Sequence, residues 1–204
     1  MEHVCLDLEG VLIPEIWAEV AEYTGEEQFK LTTQDLKDYS ELMDMRIDLV
    51  QSIGLSFLEI QSLVDKMEPF DGAREFIDWV RDNFQLTIVS DSFYELAWPL
   101  LRKLGTPSIN CHYLDIENNE LKGYTLRQLE NKKKVVQGLK DMKFKVFASG
   151  DSYNDIQMLQ EADLGVFFQA PKHIREEFKE IEGVESHEDL KNLLIENSSF
   201  IGRT

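Results

Sequence analysis

The stretch that decides the fold is residues 4–10, VCLDLEG, a short apolar run broken by Asp7 and ended by Glu9 and Gly10. This pattern predicts a buried strand over residues 4–8 that delivers its last residues to a site. Similar runs recur at residues 86–89, 109–113, 145–148 and 164–168, and amphipathic helical stretches separate several of them. The alternation predicts a three-layer α/β fold in which helices cover both faces of a parallel sheet.

A different pattern follows the first strand. Residues 39–53 have the apolar spacing of a helix, and Ser56 with Glu59 forms the capping-box pattern that opens another helix. The turn FDG at residues 70–72 returns the chain to the main sheet, and the next helix is predicted over residues 73–80. We therefore expect an α/β core formed by residues 1–14 and 69–204, and a small helical cap formed by residues 15–68.

The composition limits the possible partners. The chain of 204 residues is long enough for one α/β domain with a modest insertion, and its formal net charge is −18. That charge disfavours nucleic acid, because no excess of lysine and arginine is available to replace counterions on a phosphate backbone. A phosphorylated ligand therefore needs a local site that supplies its own positive charge.

The sequence also bears on the cellular environment. Cys5 and Cys111 form no CxxC pair, so we expect both thiols to be reduced and buried. The start of the chain is unlike a signal peptide, and no apolar stretch reaches about 18 residues, so no membrane association is expected. We expect a soluble cytoplasmic protein. A homodimer is one hypothesis for its assembly, although no motif argues for it.

Two acidic motifs follow predicted strands. Asp7 and Glu9 stand two residues apart where the first strand ends, although such a pair by itself is more often a solvated turn. The motif GDSYND places Asp151 and Asp155 four residues apart between a strand and a helix. Carboxylates in that arrangement suit a hard cation. The alternative is a helix cap made by Asp151 or Asn154.

Hydroxyl and ammonium groups from two other segments complete the set of candidate site residues. The run TIVSDS ends in Ser90, Asp91 and Ser92, whose hydroxyls suit phosphoryl oxygens beside the amides of a helix start. Taken alone, an ordinary capped strand-to-helix turn is the simpler interpretation. Lys132 is the first of three consecutive lysines, one of which can neutralise a transferring phosphoryl group. A solvated lysine cluster explains that run equally well.

Together and in this order, these four segments resemble the four motifs of the haloacid dehalogenase superfamily. The resemblance extends from Asp7 to about Leu159 and includes the position of the cap. It implies that Asp7 becomes an aspartyl phosphate, that Glu9 is the general acid and base, and that Lys132 steadies the phosphate. It further implies that Mg²⁺ is held by Asp7, Glu9, Asp151 and Asp155, and that the substrate contacts Ser90, Asp91, Ser92 and Asn154.

Within that superfamily the sequence is most similar to phosphoserine phosphatases, particularly the branch that is also a phosphoserine:homoserine phosphotransferase. The similarity lies in DLEGVL followed by PEIW, in DSFYE and in GDSYND. It implies O-phosphoserine as the phosphoryl donor and water or homoserine as the acceptor. Glu9 departs from the usual second aspartate, and SDS at residues 90–92 departs from a Ser-Gly-Gly pattern. Among the three lysines, Lys132 best matches the position before the helix in that branch.

Arg46 supports an amino-acid phosphate independently of that resemblance. On a helical wheel it lies near the centre of an apolar face that includes Leu42, Leu49 and Val50. Such an arginine needs an anionic partner, either a structural acid or the carboxylate of a substrate, which arginine binds bidentately. Glu15 resembles the cap-side acid that receives the substrate ammonium in the phosphoserine phosphatases.

Two other functions fit parts of the pattern. A phosphorylatable receiver module also combines acids, Mg²⁺, a hydroxyl and a lysine, but it lacks a helical insertion after its first strand. An enzyme of the same fold that acts on a sugar phosphate or a nucleotide is the other alternative. Replacement of Arg46 discriminates this last case, since it should impair turnover of phosphoserine sharply and turnover of other esters little.

Overall fold

Within the described residues, seven strands form a single sheet. The structure, a computed structural model, describes residues 1–33, 35–36 and 38–201. The strands are β1 (Glu2–Leu6), β2 (Gln85–Phe93), β3 (Ile109–Glu117), β4 (Glu120–Thr125), β5 (Lys145–Gly150), β6 (Leu164–Phe168) and β7 (Glu182–Val184). Their order in the sheet is β4-β3-β2-β1-β5-β6-β7. Four of the five strands that the sequence predicts are longer or start earlier than predicted, and β6 matches residue for residue.

Helices connect most of the strands. They are α1 (Ile16–Thr24), α2 (Tyr39–Ser52), α3 (Phe57–Val64), α4 (Ala73–Asn83), α5 (Tyr94–Lys103), α6 (Asn131–Asp141), α7 (Ile156–Glu161), α8 (Lys172–Glu177) and α9 (His187–Asn197). Single 3₁₀ turns occur at Glu27–Lys30 and Tyr153–Asp155. Among the described residues, no single helix is long and apolar enough to cross a bilayer, and α2 with α3 meets that test only as a pair bent by 110°.

β1 is the central strand, and all five of its residues are buried. It pairs in parallel with β2 on one side and with β5 on the other. Its side chains alternate between two hydrophobic clusters. Val4 and Leu6 pack with residues of α4 and α9, whereas Cys5 packs with residues of α6 and α7. The chain therefore has the three layers that the sequence predicts, and the carboxyl ends of β1, β2 and β5 meet at one edge.

The first strand begins two residues before its predicted start, at Glu2. Glu2 and His3 are only 6% and 8% exposed. Both are paired, because the Glu2 carboxylate accepts a hydrogen bond from the Ser199 N–H at 2.7 Å and His3 Nε2 lies 2.9 Å from Thr87 Oγ1. Apolar periodicity does not detect polar residues that are buried with a partner.

Two strands, β4 and β7, are absent from the sequence prediction. β4 is antiparallel to β3, and the turn between them is formed by Asn118 and Asn119, which have φ values of 51° and 66°. Two positive φ angles are what a tight hairpin of this kind requires, and asparagine tolerates them. β7 is three residues long and lies between α8 and α9. The sheet is therefore mixed at one edge rather than wholly parallel.

In the described residues, α1, α2 and α3 follow β1 without an intervening strand, as predicted. The capping box of α3 is confirmed, since Ser56 and Glu59 make both of its reciprocal hydrogen bonds. The start of α3 also rests on the β3–β4 turn. Asn119 accepts hydrogen bonds from the Phe57 N–H (2.9 Å) through its carbonyl and from the Leu58 N–H (2.8 Å) through Oδ1. These contacts satisfy the first free amides of the helix.

Candidate active site

A cavity of about 230 Å³ lies at the sheet edge where β1, β2 and β5 end. Ten of the eleven site residues that the sequence predicts line it: Asp7, Glu9, Glu15, Arg46, Ser90, Asp91, Ser92, Lys132, Asp151 and Asn154. The eleventh, Asp155, is fully buried. Trp17 and Tyr39 complete the wall on the side of α1 and α2. The cavity is therefore bounded by the sheet edge and by the helices that follow β1.

Asp7 comes directly after β1 and is 4% exposed. Its N–H donates to the Ser149 carbonyl at 2.9 Å, which extends the pairing of β1 with β5. One carboxylate oxygen accepts from the Leu8 N–H at 2.7 Å, and the other lies 2.8 Å from Lys132 Nζ. Burial, followed by the charge of Asp155, raises the pKa of Asp7 well above its usual value, and Lys132 opposes that rise. Positive charge here therefore favours the ionised form that a nucleophile needs.

Of the three consecutive lysines, Lys132 is the one that enters the cavity. It lies in the first turn of α6, is 4% exposed, and places Nζ 2.7 Å from Asp155 Oδ1. Burial opposes its charged form, but the carboxylates of Asp155 and Asp7 outweigh burial and raise the pKa of Lys132. Lys134 is exposed, and the half-buried Lys133 lines a neighbouring cavity instead. A charged ammonium is thus held beside Asp7.

Asp7, Asp151 and Asp155 form a cluster in which one oxygen of each lies within 4.8 Å of the others. Burial and then the charge of Asp155 raise the pKa of Asp151 to about 7, as expected where acids crowd together. Two glycines make room for the cluster. A Cβ on Gly150 would overlap Asp155, and one on Gly10, whose φ is 76°, would overlap Asp151. Three convergent carboxylates in a tight pocket fit a hard divalent cation such as Mg²⁺.

Asp155 also organises its neighbours. Its Oδ1 accepts from Lys132 Nζ at 2.7 Å, while its Oδ2 accepts from the N–H groups of Asp151 (3.0 Å) and Ser152 (3.1 Å). One buried carboxylate therefore fixes both the ammonium and the turn that carries Asp151. The bond from Lys132 comes from a charged ammonium, which makes it stronger than a bond between neutral groups.

Glu9 lies outside the three-carboxylate cluster, which departs from its predicted place among the metal ligands. Its Oε2 accepts from the Ile16 N–H at 2.8 Å, at the start of α1, where a helix favours negative charge. Glu15 is its neighbour. Burial, followed by the charge of Glu9 and a hydrogen bond to it, raises the pKa of Glu15 to about 9. The extra methylene of a glutamate lets this side chain reach the helix start while still lining the cavity.

Arg46 is 8% exposed and lies on α2. Its Nη2 donates to the Leu31 carbonyl at 2.8 Å, and its guanidinium lies 5.0 Å from the centre of the Trp17 ring. Its buried Nε has no hydrogen-bond partner, and within the described residues no carboxylate lies within ion-pair distance of it. Burial lowers the pKa of Arg46. Among the neighbouring charges, that of Glu9 opposes this shift most. The structural acid that the sequence left as an alternative is therefore not among its described contacts.

The three side chains of the motif SDS, at the end of β2, differ in how deeply they are buried. Ser90 and Ser92 are 2% and 7% exposed, and the Ser90 hydroxyl accepts from the Ser92 N–H at 3.1 Å. Asp91 between them is the more exposed side chain, at 28%. Asn154 Nδ2 donates to Asp91 Oδ2 at 3.4 Å, which links the motif to the turn after β5. All four residues border the cavity.

Sequence reasoning missed Tyr39 and His112, which both contact Asp91. The Tyr39 hydroxyl donates to the Asp91 carbonyl at 2.6 Å. His112 Nε2 lies 3.7 Å from Asp91 Oδ1. His112 was detectable, because it interrupts the apolar run of a predicted strand just as Asp7 does. Tyr39 was not, since an aromatic residue in the first turn of an amphipathic helix is an ordinary core residue.

Comparison with known proteins agrees with this geometry. A family model described as haloacid dehalogenase-like hydrolase matches residues 1–163. The chain belongs to this family. Its haloacid dehalogenase fold has the sheet order, the three layers and the helices after β1 that are described above.

Two relatives of this hydrolase are similar along nearly the whole chain. "Phosphoserine phosphatase ThrH" of Pseudomonas aeruginosa is 45% identical over 200 residues, which is 98% of each chain. "Phosphoserine phosphatase" of Pseudomonas syringae pv. tomato is 43% identical over 200 residues, covering 98% of this chain and 84% of that one.

A solved structure described as a substrate-bound phosphoserine phosphatase complex superposes on this hydrolase with a TM-score of 0.78, at 21% identity, covering 95% of this chain and 96% of that one. Another, described as a phospho-aspartyl intermediate analogue of phosphoserine phosphatase, has a TM-score of 0.77 at 22% identity, covering 94% and 98%. At this level of identity the two structures establish the fold, and the expected fold class is confirmed.

Proposed function

We propose that this protein is a Mg²⁺-dependent phosphoserine phosphatase that works through an aspartyl phosphate on Asp7. The observation that carries the proposal is the 2.8 Å contact of Asp7 with Lys132 inside a three-carboxylate cluster, in a cavity that also holds Arg46. The names of the two Pseudomonas relatives agree with it.

In the first half-reaction, Asp7 attacks the phosphorus of O-phosphoserine. A bond forms between its carboxylate oxygen and phosphorus, the bond from phosphorus to the serine oxygen breaks, and Glu9 gives a proton to the leaving oxygen. Lys132 and the Ser90 hydroxyl donate hydrogen bonds to the phosphoryl oxygens, whose charge is spread in the transition state. In the second half-reaction, water gives a proton to Glu9 as its oxygen bonds to phosphorus. The bond between phosphorus and the Asp7 oxygen breaks, which releases inorganic phosphate and restores Asp7.

The metal is assigned to the carboxylate cluster of Asp7, Asp151 and Asp155. When bound, Mg²⁺ reduces the repulsion between the Asp7 carboxylate and a phosphate dianion. The protein's own part is to keep three acids together, which the glycines at positions 10 and 150 permit and which Lys132 partly neutralises. Glu9 is assigned to proton transfer rather than to the metal, because its carboxylate is turned to the start of α1.

Two residues that follow β1, Glu15 just before α1 and Arg46 on α2, recognise the amino-acid part of the substrate in this proposal. Arg46 binds the carboxylate, since it is buried, borders the cavity and has an unpartnered Nε. Glu15 binds the ammonium. Burial and the charge of Glu9 disfavour the ionised form of Glu15, so a cation beside it stabilises that form strongly. Ser92, Asp91 and Asn154 border the remaining wall.

Residues 15–68 act as a cap over this site. They carry Arg46, Glu15 and Tyr39, whereas Asp7 and Lys132 belong to the remainder of the chain. A cap that excludes water and orients an alcohol would let the homoserine hydroxyl, instead of water, bond to phosphorus as the bond from phosphorus to Asp7 breaks. We include this phosphotransferase activity in the proposal. The cytoplasmic location and the homodimer stay predictions from the sequence.

The test is product analysis with O-phosphoserine and Mg²⁺, with and without homoserine, for wild type and Asp7→Asn. Serine and phosphate release that disappears in the variant supports the phosphatase. O-phosphohomoserine that forms only with added homoserine and intact Asp7 supports the transferase. If the protein releases no serine from O-phosphoserine but hydrolyses another phosphate ester, that ester takes the place of phosphoserine as the substrate. A stable phosphoprotein without turnover would favour the receiver module.

A further inference from the structure

Arg46 carries a buried positive charge that no acid neutralises within the part of the chain that the structure describes. The side chain is 8% exposed and borders the cavity, yet no described carboxylate lies within ion-pair distance of its guanidinium. A buried charge is costly unless other groups compensate it. The groups that surround the guanidinium therefore decide how well Arg46 keeps its charge and which way it points.

The groups in contact with this guanidinium are neutral. Its Nη2 donates to the Leu31 carbonyl at 2.8 Å and lies 3.5 Å from the Phe29 carbonyl. The Trp17 ring covers one face of the guanidinium, with its centre 5.0 Å from Arg46 Cζ. Carbonyl dipoles and the negative face of an aromatic ring attract a cation, but neither cancels its charge. The whole charge of Arg46 therefore stays available to an anion in the cavity.

Trp17 is itself held in place. It lies on α1, is 5% exposed and stacks on Phe29, with the two ring centres 5.6 Å apart and the ring planes inclined by 17°. Phe29 is fully buried and belongs to the 3₁₀ turn Glu27–Lys30, directly before Leu31. One short segment thus carries both the ring that supports Trp17 and the carbonyl that binds Arg46. A rotation of the Trp17 side chain would break the stack with Phe29, so its ring is a rigid support for the guanidinium.

We propose that Trp17 is a positioning residue for substrate specificity, whose ring holds the charged guanidinium of Arg46 so that substrates with a carboxylate are favoured over those without one. The inference deepens the proposed function and rests on it, since Arg46 binds the substrate carboxylate there. The buried Nε, which has no partner, is the donor left for that carboxylate. An acid in place of the ring would hold the arginine as firmly, but it would neutralise the charge that recognition needs.

The test measures the ratio of kcat/KM for O-phosphoserine to kcat/KM for O-phosphoethanolamine, which lacks the carboxylate. A loss that affects both substrates, such as a change in the shape of the cavity wall, cancels in this ratio. Trp17→Leu removes the ring and should lower the ratio about tenfold. Trp17→Phe keeps a smaller aromatic face and should lower it less than about threefold. In an Arg46→Leu background, Trp17→Leu should change the ratio less than about twofold, because the guanidinium is gone.

Trp79→Leu is the matched control, because Trp79 also has a cation over its ring, Lys191 at 5.4 Å, but borders a different cavity. It should lower the melting temperature and leave the ratio unchanged.

An unchanged ratio in a folded Trp17→Leu variant overturns the inference, and so does a second tenfold loss in the double variant. Thermal melting identifies a variant that fails to fold. In that case Trp17→Met, which fills more of the volume without a ring, is judged by the same ratio. Equal turnover of both substrates by wild type would overturn the inference and leave a phosphatase in place, whereas absence of phosphoserine turnover in wild type would reject the proposed function itself.

Discussion

Replacement of Arg46 by leucine should separate substrates by whether they carry a carboxylate. The side chain is 8% exposed, its Nε has no partner, and its one short bond is to the Leu31 carbonyl. A substrate carboxylate would therefore meet a desolvated guanidinium with donors to spare, rather than a solvated surface charge. Removing one partner of such a buried pair costs about 3 kcal/mol, which is roughly a hundredfold in kcat/KM.

The assay uses O-phosphoserine and O-phosphoethanolamine, which share the ammonium and the phosphate and differ in the carboxylate. Arg46→Leu should lose roughly a hundredfold in kcat/KM with phosphoserine and only a few-fold with phosphoethanolamine. Arg46→Lys should be intermediate, because lysine keeps the charge and lacks the planar fork. Arg74→Leu is the matched control, since its guanidinium pairs with Asp78 on the exposed face of α4.

Equal losses with both substrates would refute the reasoning. In that case Arg46 serves mainly to hold α2 against Trp17 and the Leu31 carbonyl, and its burial is structural. A variant that melts at a lower temperature but keeps the wild-type ratio of kcat/KM between the two substrates would also show that Arg46 is structural.

Three further predictions concern the cluster and the sheet. Lys132→Met should lower kcat by about a thousandfold, because it removes the cation beside the nucleophile, whereas the exposed Lys134→Met should not; steady-state kinetics with phosphoserine decide. Gly10→Ala and Gly25→Ala each place alanine at a positive φ (76° and 77°), so each should lose about 1 kcal/mol in denaturant unfolding. Only the first also overlaps a cluster carboxylate, so only it should require more Mg²⁺ in a metal titration of activity. Burial lowers the pKa of His3 to about 4, below its value in the unfolded chain. The folded state thus binds fewer protons, and about 3 kcal/mol of stability present above pH 6.5 should be lost as the pH falls to 4, a loss that His3→Gln should remove from the unfolding curves.

The acidic motifs were predictable because each follows a run that is recognisable as a buried strand. Parallel strands bring their carboxyl ends to one edge, so Asp7, Ser90 and Asp151 meet there whatever lies between them in the chain. Arg46 was predictable for a similar reason, because a charge at the centre of an apolar stripe is buried once the helix packs.

What the sequence did not reveal depends on contacts that apolar periodicity and the usual turn residues do not indicate. The burial of Glu2 relies on serines near the other end of the chain, and the direction of the Glu9 side chain depends on where α1 begins. The β3–β4 hairpin carries no glycine in its turn, and its short strand has little apolar alternation, so neither of the usual signals is present.

The turn at Asn118 and Asn119 has a consequence for how this chain tolerates change in length. Exposed two-residue turns are usually the places where a protein accepts an insertion with little effect. Here the carbonyl and side chain of Asn119 hold the first two amides of α3, and Gln51 at the end of α2 donates to the Leu121 carbonyl in the strand that follows. An extra residue in this turn would leave the sheet nearly intact while displacing the support of the helices that carry Arg46. An insertion in this surface turn should therefore alter substrate preference more than it reduces stability.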